Sequence, residues 1–350
     1  MGVHELHTSG CIFARQHWML LSSCLLGAVL LLDFSTNRGW AQNPDEQTAQ
    51  PRYIQSAAAS GTRVIRPDTW SMLSFEVANP TQHDVSVLAA SYFEKQSSLQ
   101  FGKQIWIPEN AKRRSFYPIR PPASPEQDGN IVNVYSLLMD RTEAADTDRL
   151  IFSQTDQMHY HSLLSATKER PTTALFDDTD DENVRQTVAA GRTSRNLTVV
   201  VFDLRENSLP PDARWLDGLD QIVIANNTLL TNGRALSAVR RWLTEGGRVW
   251  LMLDKIQPEL LDSLIGDRIG WAPHDHILLD TITITDDRPV SKDQKREFSA
   301  TYTNPVRMVR GVMDGMQVTQ SVNGWPAAAW CNVGNGELLL TTLELSLIHI

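Results

Sequence analysis

Cysteine is scarce in this sequence: Cys11, Cys24 and Cys331 are the only three among 350 residues. That excludes a disulfide scaffold and a cysteine-rich zinc module. Basic charge is also in short supply, with 32 Lys and Arg against 41 Asp and Glu and a net charge of −9. A nucleic-acid protein needs a basic stripe to neutralise phosphates, so nucleic acid is not expected as a partner. The sequence holds no phosphate loop and no Gly-x-Gly-x-x-Gly fingerprint. It also lacks the Gly-x-Cys-x-Gly and Gly-x-Ser-x-Gly nucleophile elbows. No cofactor is implied. A hydrophobic content of 41% is enough for packed cores, which excludes wholesale disorder. The length suggests two ordinary domains.

One long apolar run is present, near the start. Residues 18–32, WMLLSSCLLGAVLLL, carry no charge, and Asp33 ends them. Arg15 and three histidines precede the run, and Gly39 and Ala41 put small residues before a cut after Ala41. This is the layout of a secretory signal peptide. At about 1.5 Å per residue the run falls short of a ~30 Å hydrocarbon core. Residues 1–41 therefore read as a signal peptide or a signal anchor, and the protein is expected to be periplasmic or membrane-anchored outside the cytoplasm. Leu21-Ser22-Ser23-Cys24 has the outline of a lipoprotein box, but the longer apolar run follows Cys24 instead of preceding it. Loss of residues 1–41 removes two basic and two acidic residues, leaving the net charge unchanged and Cys331 as the one cysteine. Polar residues 42–52, with two prolines, read as a linker.

Residues 53–154 follow a period of two. Leu73, Phe75 and Val77 alternate with Ser74 and Glu76; Val85, Val87 and Ala89 repeat the pattern, as do Ile105 and Ile107. Such alternation marks strands with one buried face. Turn signals at Asn79-Pro80, Pro108-Glu109-Asn110, Pro121-Pro122 and Asp128-Gly129 separate them. Short strands at regular spacing predict a β-sandwich. The stretch WSMLSFEVANPTQHDVSVLAASYF resembles the immunoglobulin- or fibronectin-like modules of exported bacterial proteins, without the cysteine pair of immunoglobulin domains. Trp70 and Trp106 are candidate sugar-stacking platforms, or else core and edge fillers.

After a polar linker at 155–171 the pattern changes. Residues 172–176, 197–202 (LTVVVF), 221–225 and 248–253 (RVWLML) read as buried strands, and helical spacing falls between them. The clearest helix has Thr231 or Asn232 as its cap, an apolar stripe of Ala235, Leu236, Val239, Trp242 and Leu243, and Gly246-Gly247 as its stop. Alternating strands and helices predict a parallel, doubly wound, flavodoxin-like core over 172–350. From about Ile277 the pattern returns to strands, with a hairpin turn at Gly334-Asn335-Gly336.

The stretches LPPDARWLDGLDQIVIANNTLLTNGRALSAVRRWLTEGGRVWLMLD and GNGELLLTTLE resemble the class I glutamine amidotransferase-like superfamily over about residues 172–344. With the sandwich and the later strands read above, the expected architecture is α/β plus all-β: a β-sandwich followed by a domain that resembles the amidotransferase-like fold and has a β-rich C-terminal part. Enzymes of that superfamily carry a nucleophilic cysteine on an elbow between strand and helix. Cys331 lies instead in AAWCNVGNG, where a strand enters a hairpin, so the resemblance implies a domain without its catalytic site.

Other candidates are local. Ligands bind beyond the C-terminal ends of parallel strands, which singles out Asp177, Asp203, Asn226, Asn227 and Asp254 as a rim. His159 with His161, and His274 with His276, have the i, i+2 spacing that puts two imidazoles on one face of a strand, a start for a metal site that lacks a third ligand. The acidic run at 177–182 reads as a helix cap with acids complementing the dipole, or as a cation site. Lys112-Arg113-Arg114 and Arg240-Arg241 read as solvated faces. The chain stops within an apolar segment, LSLIHI, and the resembled layout predicts a further helix there, so the C-terminus is read as truncated.

Together these features predict an exported, envelope-associated binding or scaffolding protein with a catalytically empty amidotransferase-like domain. Its expected partners are other envelope proteins and the membrane, through a signal anchor or a missing C-terminal helix. The alternatives are a hydrolase or amidase of the same superfamily, a metal-dependent variant using the His-x-His pairs, and a carbohydrate-binding protein.

Overall fold

Alternating side chains in the first third of the chain build two facing sheets. The computed structural model describes residues 50–59, 62–94, 96–123, 131–142, 149–151, 159–166, 171–177, 181–198, 200–204, 209–266, 269–287 and 297–344. Residues 1–49, which include the expected signal segment and the lipoprotein-like box, residues 178–180 and the terminal LSLIHI lie outside the described residues.

The first nine strands are β1 (Arg52–Ala58), β2 (Val64–Ile65), β3 (Ser71–Asn79), β4 (Val85–Phe93), β5 (Gln96–Ile107), β6 (Ala111–Ile119), β7 (Ile131–Asp140), β8 (Arg149–Ile151) and β9 (His159–Ser165). One sheet has the order β1-β3-β6; the other runs β2-β9-β7-β4-β5, with β8 beside β7. Leu73, Phe75, Val77, Tyr117 and Ile119 from the smaller sheet meet Val87, Phe93, Ile107, Val134 and Leu163 from the larger in one core. Apolar residues at every second position account for this, since successive side chains point to opposite faces. A buried chain of hydroxyls links the sheets: Tyr117 Oη lies 2.5 Å from Ser91 Oγ, which lies 2.7 Å from Ser136 Oγ. At the Asn79-Pro80 turn, Asn79 Nδ2 donates to the His83 and Pro108 carbonyls (2.8 and 2.9 Å), and its Oδ1 accepts from Thr81 N (3.1 Å).

The remainder forms one nine-stranded mixed sheet. Its elements are β10 (Thr173–Phe176), α1 (Glu182–Thr193), β11 (Phe202–Asp203), β12 (Gln221–Ile224), α2 (Gly233–Glu245), β13 (Arg248–Met252), α3 (Pro258–Ile265), β14 (Gly270–Asp286), β15 (Glu297–Asp314), β16 (Gln317–Val322), β17 (Trp325–Val333) and β18 (Gly336–Thr341). The sheet order is β11-β10-β12-β13-β18-β17-β16-β14-β15. Pairings from β11 to β18 are parallel and the rest antiparallel. One face of the parallel strands packs on α2 and α3 through Val239, Trp242, Leu260 and Leu264. The other packs on α1 through Val184 and Val188.

Helix α2 forms as its sequence dictates. Asn232 caps it by accepting from Ala235 N at 3.1 Å, and Gly246 ends it with φ of 133°. The glycine-rich β17–β18 turn docks on that helix end: Asn335 N donates to Thr244 O (2.9 Å) and Glu337 N to Gly247 O (3.1 Å). A Cβ on Gly336 would fall 1.9 Å from Leu243 O, and one on Gly247 would fall 2.4 Å from the Trp242 ring. Gly334 and Gly336 are thus required by a close approach of backbone to backbone, and Gly247 by the Trp242 ring packed over it.

Four expectations are corrected here. A doubly wound, flavodoxin-like amidotransferase-like domain is not what the chain forms. Its described part is predominantly β, with three α-helices among the described residues. The long β14–β15 hairpin and strands β16 and β17 are inserted between β13 and β18 and continue the same sheet. Residues 197–202 also fail as a full buried strand: β11 is two residues long at the sheet edge, and Val200 is exposed. The immunoglobulin- or fibronectin-like resemblance is corrected as well, because three strands face six where immunoglobulin domains set four against three. Strand β9 lies within 155–171, where a linker was expected. Its sequence, HYHSLLS, is too polar to announce a strand.

The two parts are joined by contacts of both kinds. Arg66 Nη2 lies 2.5 Å from Asp220 Oδ2, which also accepts from Thr172 N at 2.6 Å. Phe116 and Trp215 meet edge to face, centroids 5.7 Å apart. Among the described residues no helix is long and apolar enough to cross a membrane.

Candidate functional site at the ends of the parallel strands

Each rim residue predicted from sequence stands at the C-terminal end of a parallel strand. Asp177 follows β10, Asp203 ends β11, Asn226 and Asn227 follow β12, and Asp254 follows β13. The connection leaving β10 turns to one face, where α1 packs, and the one leaving β12 turns to the other, where α2 packs. Connections that diverge at adjacent strand ends leave room for a ligand between them. Asp177 and Asn226 flank that point.

The five residues divide by what they hold. Asp203 is ion-paired with Arg185 of α1. Asn227 Oδ1 accepts from Gln257 N at 2.6 Å and so fixes the start of α3. Asp177 Oδ2 accepts from Asp181 N at 3.1 Å. Asp181 is the N-cap of α1, its side chain accepting from Asn183 N at 3.0 Å, as expected for the acidic run. These three side chains organise the loops.

Asn226 and Asp254 differ. Asn226 is 9% exposed. Its Oδ1 accepts from Thr228 N (3.1 Å) and Thr228 Oγ1 (2.5 Å), while its Nδ2 is buried with no hydrogen-bond partner. A buried donor left unpaired costs about 1–3 kcal/mol, a cost that a ligand acceptor would remove. Burial pushes the Asp254 carboxyl up to about 7, against the smaller opposing pull of Lys255.

Three further side chains complete the edge. Lys255 Nζ lies 3.2 Å from Glu344 Oε1 and 3.4 Å from Asp181 Oδ2. Burial alone would lower its pKa, but Glu344, Asp254 and Asp181 together raise it. Lys255 is therefore a fixed cation. Lys255 directly follows a rim residue, which could have marked it. Glu344 reaches the site only because β18 pairs with β13, a pairing with no local signature. At neutral pH the edge carries an unpaired amide, a part-protonated carboxyl and an ammonium shared between two carboxylates.

The other sequence candidates lie elsewhere. Burial raises the Cys331 thiol to about 11; it lies on β17, packed against the core under α2. That is the setting of an unreactive thiol. His161 Nε2 lies 2.8 Å from Ser56 Oγ, and His159 begins the same strand. His274 and His276 lie on β14, in a different sheet, on either side of Asp275, which is paired with Arg310. Among the described residues, no group of three or more His, Cys, Asp or Glu side chains could hold a metal ion. Trp70 is half-buried, edge-on to Phe101 and beneath the Arg120 guanidinium; Trp106 is 52% exposed. Arg113 donates to the Trp106 carbonyl, Arg114 pairs with Glu76 and Arg241 with Glu245, so much of both basic clusters is engaged locally.

No family model matches the chain, and no curated protein matches it. Among solved structures it is similar to Cytoplasmic Protein STM1381 from Salmonella typhimurium LT2, at 13% identity and a TM-score of 0.35 over 54% of this chain and 81% of that one. It is also similar to Cytoplasmic Protein STM3548 from Salmonella typhimurium, at 10% identity and a TM-score of 0.34 over 61% and 85% of the two chains. The mmIFT52 N-terminal domain matches at 14% identity and a TM-score of 0.34 over 49% and 86%.

Proposed function

We propose that this chain is an exported binding protein that takes a small, acceptor-rich ligand at the C-terminal edge of β10, β12, β13 and β18. One observation carries the reading: the Asn226 amide is buried and unpaired on the edge that also holds Asp254 and Lys255. A carboxylate or phosphoryl oxygen accepting from Asn226 Nδ2 would satisfy the orphan donor, and Lys255, held between Glu344 and Asp181, is the cation nearest that edge in sequence. The charged, apolar and small-residue pattern of residues 1–41 supports an envelope setting, with other envelope proteins as partners.

The test is thermal melting of the chain with citrate, glutamate or inorganic phosphate, in wild type and Asn226→Asp. The variant keeps the oxygen that holds Thr228 and replaces the donor by an acceptor. Stabilisation of the wild type by at least one probe, lost in the variant, is expected. A wild-type melting temperature unmoved by all three, or an equal shift in both proteins, would refute the reading.

A second reading, a hydrolase in which Asp254 moves a proton, is favoured by its carboxyl at about 7. Ester or amide hydrolysis abolished in Asp254→Asn with unchanged melting would select it.

A further inference from the structure

We propose that the outer face of the six-stranded sheet is a platform for a neutral glycan, built on a row of three tyrosines. Tyr92 of β4 pairs in register with Tyr135 of β7, and Tyr135 with Tyr160 of β9. The ring centroids are 5.5 and 6.3 Å apart, with interplanar angles of 19° and 37°. The row therefore crosses three strands as one nearly continuous aromatic surface. It faces solvent: Tyr160 is 63% exposed, and the next residues along the strands, Ser91, Phe93, Val134 and Ser136, point into the core.

The neighbouring row is polar and internally ordered. Asn133 Nδ2 donates to Glu94 Oε2 at 2.9 Å, Tyr135 Oη donates to Glu94 Oε1 at 3.1 Å, and Ser162 Oγ donates to Asn133 Oδ1 at 2.9 Å. Beyond it, Ile131 and Leu164 pair across the same face, 58% and 45% exposed.

A pyranose ring has the matching chemistry, with an apolar C–H face to stack on a tyrosine and a rim of hydroxyls to donate to and accept from a carboxylate, amide and hydroxyl set. Tyrosine suits such a contact because its ring is apolar and its hydroxyl is wet. Neither row contains a Lys or Arg among the described residues, and Glu94 adds a carboxylate to the polar one, which disfavours an anionic polymer. A protein partner fits less well, since a stable interface takes about 20–30 residues a side and the apolar side chains here are five, in two rows divided by a polar one. Hydrogen bonding within the polar row holds the platform in shape before anything binds, which spares part of the ordering cost of association.

The experiment is retention of the full chain on insoluble cellulose and chitin, followed by titration with cellohexaose or chitohexaose. Wild type should be retained on one polymer. Tyr160→Ala should weaken oligosaccharide binding about tenfold, the loss of roughly one stacked ring, and Tyr160→Phe should bind like wild type because the ring carries the contact. Retention should not respond to added salt. Asn226→Asp should leave it unchanged, which separates this surface from the strand-end site. No retention on either polymer, equal retention of Tyr160→Ala, or salt-released binding would overturn the proposal. So would concentration-dependent dimerisation abolished by Tyr160→Ala without polymer retention, which would assign the face to a second copy of the chain. Circular dichroism and melting of each variant confirm that the fold is intact.

Discussion

Replacing Gly336 by alanine adds one methyl group where the β17–β18 turn meets the end of α2. The new carbon would fall 1.9 Å from Leu243 O and 2.4 Å from Gly247 O. Both are backbone atoms, so no side-chain rotation relieves the clash. The turn must withdraw, which costs about 1–3 kcal/mol as overpacking does elsewhere. Withdrawal also weakens the bonds from Asn335 N to Thr244 O and from Glu337 N to Gly247 O, each worth about 0.5–1.5 kcal/mol net. Together these amount to a loss of about 2–6 kcal/mol. Gly191 is the internal control: it lies within α1, and a Cβ there would meet nothing within 4 Å. Alanine at that position should stabilise the helix by about 0.5–1 kcal/mol. Urea unfolding followed by far-ultraviolet circular dichroism, with matched slopes, measures both. Equal stability of Gly336→Ala and wild type would show that the turn does not sit on the helix end, and the account of both glycine-rich segments would fall with it.

Asp254 gives a pH dependence. Its folded pKa, about 7, lies above the ordinary 3.8, so the native state holds a proton that the unfolded chain releases. Stability is greatest below pH ~4 for this group and declines as pH rises to ~7, by up to about 4 kcal/mol. Asp254→Asn should flatten that decline in melting curves taken across the window; an unchanged profile would show that the carboxyl is not buried. Asp220→Ala should cost about 2–3 kcal/mol, less than the ~3–5 of a fully buried pair, because Arg66 and the Thr172 amide lose their shared acceptor. Denaturant unfolding within 0.5 kcal/mol of wild type, the range of an ordinary surface change, would contradict that assignment. Cys331 should resist iodoacetamide at pH 8 in the native protein and react on unfolding, as read by mass spectrometry of its peptide. Fast native labelling would show a thiol far from the burial described.

What was legible in the sequence was local. The Asn232 cap, the apolar stripe of α2 and the Gly246 stop all act within one helix, so a short window contains the whole cause. Strand alternation in β3 and β4 is similarly self-contained. The rim positions were legible because a strand end can be read from its own residues. Pairing across the sheet was not. Nothing near Glu344 indicates that it meets Lys255, and nothing near Ile277 indicates that the later strands extend the parallel ones instead of forming a separate layer. The glycine-rich stretches were misread for a related reason, since Gly334, Gly336 and Gly247 answer to packing at the end of α2. The tyrosine row escaped notice because its members are far apart in sequence and only the register of β4, β7 and β9 aligns them.

The insertion of β14 to β17 between neighbouring strands has a consequence for assembly. β13 ends at Met252, and its partner β18 begins at Gly336. The parallel strands therefore cannot finish closing until the residues through Thr341 have emerged from the ribosome or a translocation channel. Until then the flank of β13 is an open edge of unpaired amides and carbonyls, the kind of surface that captures foreign strands. Long-range parallel closure is also slow, because loop entropy is lost before the contacts that offset it form. Folding should accordingly have a slow phase that waits on β18, and aggregation should compete with folding mainly in that interval.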